Sequence, residues 1–155
     1  MQTFLPYKSF TRTAQVLDQK RLGKQRIEAF MILEILEGKK SVWKNHPAVR
    51  MWSGYNNALI LYYNIILEEW EKRGFENNMP YLKIYSKIID PPWLSDPRLP
   101  LSHRGNLLRK DPEYYSQFGW AEADPACPYF WPVELLTPAN QKIMSGYWGK
   151  ILEVN

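Results

Sequence analysis

Cysteine is almost missing from this sequence. The single one, Cys127, excludes an internal disulfide and a cysteine-rich zinc site. It lies between Pro125 and Pro128, with no base placed near it in sequence to make it a nucleophile. Histidine is scarce too. His46 and His103 stand alone, without the paired spacing of a metal-ligand set, so neither a metal nor another cofactor is expected. No apolar run approaches the roughly 20 residues of a membrane helix. The start, MQTFLPYKSF, lacks a charged stretch followed by a long apolar segment, so a signal peptide is not expected. A phosphate-binding glycine loop, a Gly-x-Ser-x-Gly elbow, repeats and low-complexity segments are all absent. These absences fit a soluble intracellular protein. The length fits one domain over 1–155 that needs no partner subunit.

Aromatic residues and positive charge are what the chain has in excess. Aromatics make up 15%, from 7 Trp, 10 Tyr and 6 Phe, and the formal net charge is +4. Cations meet phosphates and rings stack on bases, so the pair points to nucleic acid. A tryptophan-rich core under a mildly basic surface would give the same composition. Local charge is more telling. Residues 8–26 hold Lys8, Arg12, Lys20, Arg21, Lys24 and Arg26 against Asp18 alone, a local charge of +5. Residues 98–110 hold Arg98, Arg104, Arg109 and Lys110 with no acid, a local charge of +4. The acids Glu68, Glu69 and Glu71 collect elsewhere. Phosphate binding needs such local excess.

Helical periodicity dominates. A first helix is predicted over about 13–37, stopped by Gly38, and a second over about 47–73, opened by Pro47 and stopped by Gly74. A short helix is predicted after Pro80, through Ile88. Residues 89–100, with four prolines, read as a rigid loop. A helix over about 101–110, a turn at Asp111 and Pro112, an irregular stretch over 119–136 and a last helix capped by Thr137 complete the chain. That last helix is expected to end at Gly146 or Gly149. The fold class is therefore all-α, a compact bundle with proline-rich connections.

Within the first helix Asp18, Arg21, Gln25 and Glu28 follow a 3, 4, 3 spacing, and the same line continues into Ile32 and Ile35. A polar stripe that merges with an apolar one is half-buried, and half-buried carboxylates must be paired or shifted. The alternative is an ordinary salt-bridged surface. His46 reads equally as a hydrogen-bonding residue where the second helix begins or as a functional one. His103, inside the second basic run, is placed to meet a phosphate or base. The tail Tyr147-Trp148-Gly149-Lys150 reads either as a plug for the core or as a stacking platform with a cation.

Several segments together resemble the phage-type pyrimidine dimer DNA glycosylases (the endonuclease V group), and especially their microbial branch. They are MQTFLPY, LDQKRLGKQRIEA, NHPAVRMW, EEWEKRGF, SHRGNLLRKDPEYY, PYFWPVE and the tail GYWGK. The resemblance spans nearly the whole chain. It implies a metal-independent enzyme on double-stranded DNA that cuts the glycosidic bond of a damaged pyrimidine and then cleaves the backbone by β-elimination. It implies the N-terminal α-amine as nucleophile and Glu28 as the assisting glutamate. An α-amine of pKa about 7.7–8.0 is partly neutral at physiological pH, whereas a lysine near 10.4 is not. Arg21 and Arg26 become candidates for one phosphate clamp, and Arg109 and Lys110 for a second. With Lys24, Gln25, His103, Arg104, Tyr147, Trp148 and Lys150 they form the expected DNA-binding set. Asp18, Lys20 and His46 are possible supports. The phage enzyme exposes a threonine amine after loss of its methionine. Here Gln2, a large residue, should block that loss, so that Thr3 is not N-terminal. The amine of Met1, a lysine at 20 or 24, and a water activated by Glu28 or Asp18 all stay open as nucleophile. So do a non-catalytic DNA-binding module and a glycosylase for another modified base.

Overall fold

The computed structural model describes residues 1–151. Seven α-helices and two short 3-10 turns make up its regular structure, and no strand occurs among the described residues. The chain is all-α. No helix among those residues is long and apolar enough to cross a membrane. The chain divides into two compact units, Met1–Pro91 and a second beginning at Pro92.

The first unit carries α1 (Phe10–Val16), α2 (Gln19–Leu36), α3 (Pro47–Arg50) and α4 (Asn56–Lys72). The single helix predicted over 13–37 is in fact two. Leu17 is extended (φ −64°, ψ 135°), and the Asp18 carboxylate accepts from the Arg21 amide at 3.4 Å to start α2. An N-cap residue has non-helical backbone, so Asp18 interrupts the helix that it was expected to lie within. The helix predicted over 47–73 also breaks. His46 Nδ1 accepts from the Ala48 amide at 3.0 Å and starts the single turn of α3. Gly54, at φ +86°, reverses the chain in a conformation that side chains disfavour, and α4 starts afresh. Leu22, Ile32, Trp52, Leu59, Tyr62, Tyr63 and Ile66 fill the core between these helices. Phe10 meets Tyr62 edge-on at 5.4 Å, and Trp52 lies 6.2 Å from the same ring.

The helix predicted after Pro80 does not form. Asn64 donates to the Leu82 carbonyl at 2.8 Å and accepts from the Leu82 amide at 3.0 Å. Asn57, two turns earlier on the same face of α4, accepts from the Tyr85 amide at 3.0 Å and donates to Ser86 Oγ at 2.8 Å. The Tyr63 hydroxyl donates to the Pro80 carbonyl at 2.7 Å. These side chains take the backbone groups that an internal helical ladder would have used.

The second unit holds a 3-10 turn (Pro92–Ser95), α5 (Arg98–Lys110), α6 (Pro112–Tyr115), a second 3-10 turn (Ser116–Phe118) and α7 (Pro138–Trp148). The helix predicted from 101 begins at Arg98 instead, because a first turn tolerates Pro100, whose missing N–H has no helical partner there. Asp111 caps α6 by accepting from the Tyr114 amide at 3.1 Å. Thr137 precedes α7 at the predicted position, but its side chain makes no capping bond to the backbone; its hydroxyl accepts from Asn140 Nδ2 at 2.8 Å instead. The helix runs through Gly146 and stops at Gly149 (φ +79°). Arg98 ties the end of α7 down. Its guanidinium pairs with Asp96 at 2.6 Å and donates to the carbonyls of Trp148 and Lys150 at 3.0 and 2.8 Å. Cys127 is buried, and burial raises its thiol pKa. Its Sγ lies 3.7 Å from the Ser102 carbonyl.

Candidate functional site

Gln25 organises the polar centre of the first unit. Its side chain is 1% exposed, and every hydrogen-bonding position on it has a partner. Nε2 donates to the Gln2 carbonyl and to Glu28 Oε2, both at 2.9 Å. Oε1 accepts from the Phe4 amide at 3.0 Å and faces the Tyr62 hydroxyl at 2.7 Å. That arrangement fixes which end of the amide is nitrogen. It also makes one side chain the bridge between the N-terminal segment and a carboxylate. The Gln2 carbonyl oxygen and Glu28 Oε2 share a donor, so they lie no more than twice 2.9 Å apart.

The N-terminal segment is fixed at further points. Trp52 Nε1 donates to Thr3 Oγ1 at 3.0 Å, and the Thr3 amide donates to Gln2 Oε1 at 2.9 Å. The Phe4 carbonyl, 2.9 Å from the Tyr62 hydroxyl, is a second acceptor for that group. Burial, with the charge of Glu28 second, pushes the Tyr62 phenol well above its ordinary range, so it stays a neutral donor. Residues 2–6 are buried and Met1 is partly exposed. Thr3 is the catalytic candidate that the phage-type enzymes' threonine amine suggests. Its nitrogen is a peptide N–H and its hydroxyl is sealed against Trp52, so the structure gives it an anchoring position. His46 lies close enough to the amino terminus to feel its charge. Burial first, and that positive charge second, hold its imidazole below the ordinary value.

At 100° per residue, Arg21, Lys24, Gln25 and Glu28 fall within about 100° of the α2 circumference. Arg21 is ion-paired with Asp18 at 3.2 Å, and Lys24 is exposed, as is Lys20 one turn before it. Arg26 is not part of this arc. It lies about 160° around the helix from Glu28, where its guanidinium stacks on Trp70 at 4.0 Å and Nε donates to the Gly23 carbonyl at 3.3 Å. Two residues along a helix never share a face, so the sequence neighbours Arg26 and Glu28 are separated in space.

Residues 1–83 match the pyrimidine dimer DNA glycosylase family, just over half of the 155 residues. The chain belongs to that family. No curated protein and no solved structure matches it. The matched span contains Met1, Gln25, Glu28, His46, Trp52 and Tyr62, so the whole constellation just described lies within it.

The expected binding residues beyond the match are distributed differently. His103, expected to meet DNA, is 0% exposed and lies edge-on to Tyr129 at 5.7 Å. Burial pushes its pKa down to about 3. It is a core residue of α5. The guanidinium of Arg109 is committed to its own unit, donating to the carbonyls of Pro125 and Cys127 at 2.9 and 3.1 Å and to Asn106. Arg104 lies over Trp120 at 5.9 Å, and Lys110 is exposed. Tyr147 donates to Asp124 at 2.6 Å, which pushes the phenol up to about 12. Trp148 Nε1 donates to the Pro128 carbonyl at 2.7 Å, and Lys150 is exposed. Among the described residues no three His, Cys, Asp or Glu side chains gather as metal ligands would.

The anchoring roles of Trp52 and Tyr62 were not legible locally. Both fall within the segment predicted as the second helix, and their bonds to Thr3 and Phe4 span 49 and 58 residues.

Proposed function

We propose that this member of the family is a bifunctional enzyme on double-stranded DNA, a glycosylase with AP-lyase activity on cyclobutane pyrimidine dimers. The Met1 amine is its nucleophile and Glu28 its proton-transfer carboxylate. The observation that carries this reading is the shared amide of Gln25, which bonds both the backbone beside the first residue and the Glu28 carboxylate. A neutral amine attacks C1′ of the damaged nucleotide, and the base leaves with the electron pair of the glycosidic bond and takes up a proton. Loss of the amine protons and opening of the C1′–O4′ bond, with a proton delivered to O4′, yields the imine. Glu28 then removes a C2′ proton, and the 3′ phosphate leaves by β-elimination. Water hydrolyses the imine and frees the amine. None of these steps calls on a metal. Arg21 and Lys24, on the arc of Glu28, are the proposed contacts to the flanking phosphates. Extruding the nucleotide costs a few kcal/mol, least at damaged sites.

Borohydride trapping on a duplex carrying one thymine dimer, in the presence of a chelator and with an abasic duplex beside it, tests the reading. Peptide mapping of the product is expected to put the adduct on the Met1 amine. Glu28→Gln should lower strand nicking by about a hundredfold or more. An adduct on Lys24 or Lys20 overturns the choice of nucleophile. An adduct on the abasic duplex alone moves the substrate to another base. No adduct and no released base on either duplex overturns the enzyme.

A further inference from the structure

Between α2 and α3 the chain forms a short turn whose apolar tip faces solvent. Val42 is 94% exposed and Trp43 44%. Residues 39–50 contain Lys39, Lys40, Lys44 and Arg50 and no acid. The turn is built rather than slack. The Trp43 amide donates to Ser41 Oγ at 3.1 Å, the Lys44 amide to the Ser41 carbonyl at 3.4 Å and the His46 amide to the Trp43 carbonyl at 2.9 Å. The Trp43 ring rests edge-on against His46 at 5.6 Å, and His46 is itself fixed as the cap of α3. Val42 leaves almost its whole surface to solvent and Trp43 nearly half of its own, at a tip that backbone hydrogen bonds hold. Lys39 is paired with Glu34 at 3.0 Å, whereas Lys40 and Lys44 are exposed beside the tip; an apolar tip between such lysines has the chemistry of a wedge that enters a base stack while the lysines meet phosphates.

We propose that Val42 and Trp43 are a wedge for damaged duplex DNA, with Trp43 stacking on a base beside the lesion and Lys40 and Lys44 contacting the strand that carries it. The proposal rests on the glycosylase reading for its choice of duplex. It adds a recognition element on the same unit as Glu28. His46, against which Trp43 rests, also feels the charge of the amino terminus. The wedge fills the space that an extruded nucleotide vacates, which offsets part of the unstacking cost.

Equilibrium binding to a dimer-containing duplex and to its undamaged counterpart, without borohydride, separates the wedge from the chemistry. Trp43→Ala is expected to weaken binding to the damaged duplex by about tenfold or more while changing the undamaged one little. Trp43→Phe, which keeps a ring, should recover most of the loss, and circular dichroism of both variants should match the parent. Replacing Lys40 and Lys44 by Ala should lower the salt dependence by about two counterions, whereas Trp43→Ala leaves it unchanged. An unchanged affinity of Trp43→Ala, or an equal loss on both duplexes, overturns the wedge. If the parent protein neither nicks nor traps but Trp43→Ala still loses lesion binding, the enzyme reading fails and the wedge stands.

Discussion

His103 illustrates how far a single residue departs from its sequence neighbours. It sits among Arg98, Arg104, Arg109 and Lys110, yet its own side chain is sealed in the core. The signal that locates it is the line Leu99, Ser102, His103, Asn106, Leu107, a buried face with three-and-one spacing. Its pH consequence has a definite sign. The imidazole has an ordinary pKa of 6.5 and about 3 when folded. Between those values the unfolded chain binds a proton that the folded chain refuses. Its contribution to stability is therefore full above about pH 6.5 and declines as the pH falls toward 3. Thermal melts across that range should show a shallower acid loss for His103→Gln than for the parent, whatever the offset at neutral pH. Parallel slopes would remove His103 from the account. Gln25 was legible in the other direction. A polar residue on a line that runs into Ile32 had to be half-buried and partnered. Its partners at Gln2 and Phe4 lie more than 20 residues away and could not be read from that line.

Elements were legible where caps and prolines mark them and illegible where side chains from elsewhere decide. Thr137 and Pro138 gave the start of α7. Asp18 is both a member of the polar stripe and a cap, and periodicity alone cannot tell the two apart. The extended stretch after Pro80 has apolar spacing that suits a helix. Asn57 and Asn64 capture its backbone from α4, and that competition is invisible without the tertiary pairing. Two glycines on helices of the second unit make the packing testable with opposite signs. A Cβ at Gly105 would meet the Asp124 carbonyl oxygen and lie 2.6 Å from Cys127 Sγ. Gly105→Ala should cost about 1–3 kcal/mol or more by overpacking, lowering the thermal midpoint by about 2–4 °C for each kcal/mol. Gly146 has open space around its Cβ direction. Gly146→Ala should stabilise α7 by about 0.5–1 kcal/mol. Melts of the two variants moving in the same direction would contradict this placement of the helices.

At the scale of the whole molecule the net charge of +4 says less than where the exposed cations lie. In the first unit Lys20, Lys24, Lys40 and Lys44 are all exposed. If these four neutralise phosphates, raising salt from about 50 to 200 mM should weaken duplex binding by about a hundredfold. A slope near zero, measured on the full chain, would remove the electrostatic contribution to DNA recognition. The all-α class follows from composition and periodicity, because long apolar lines at helical spacing leave few alternatives. The line of Arg21, Gln25 and Glu28 was legible from its spacing, but the partners of Gln25 at Gln2, Phe4 and Tyr62 were not. Glu28, Arg21 and Lys24 share an arc of one helix, while Arg26, only two positions from Glu28, is turned away to Trp70.

The buried thiol of Cys127 has a practical consequence. With the only cysteine enclosed beside Gly105 and its pKa raised, the parent chain already serves as an unreactive background for site-directed labelling. Cysteines introduced at exposed Ser53 and Gln117, one in each unit, would be the thiols open to maleimide dyes or nitroxides. The separation of those two labels, with and without a damaged duplex, would measure the arrangement of the units in solution directly.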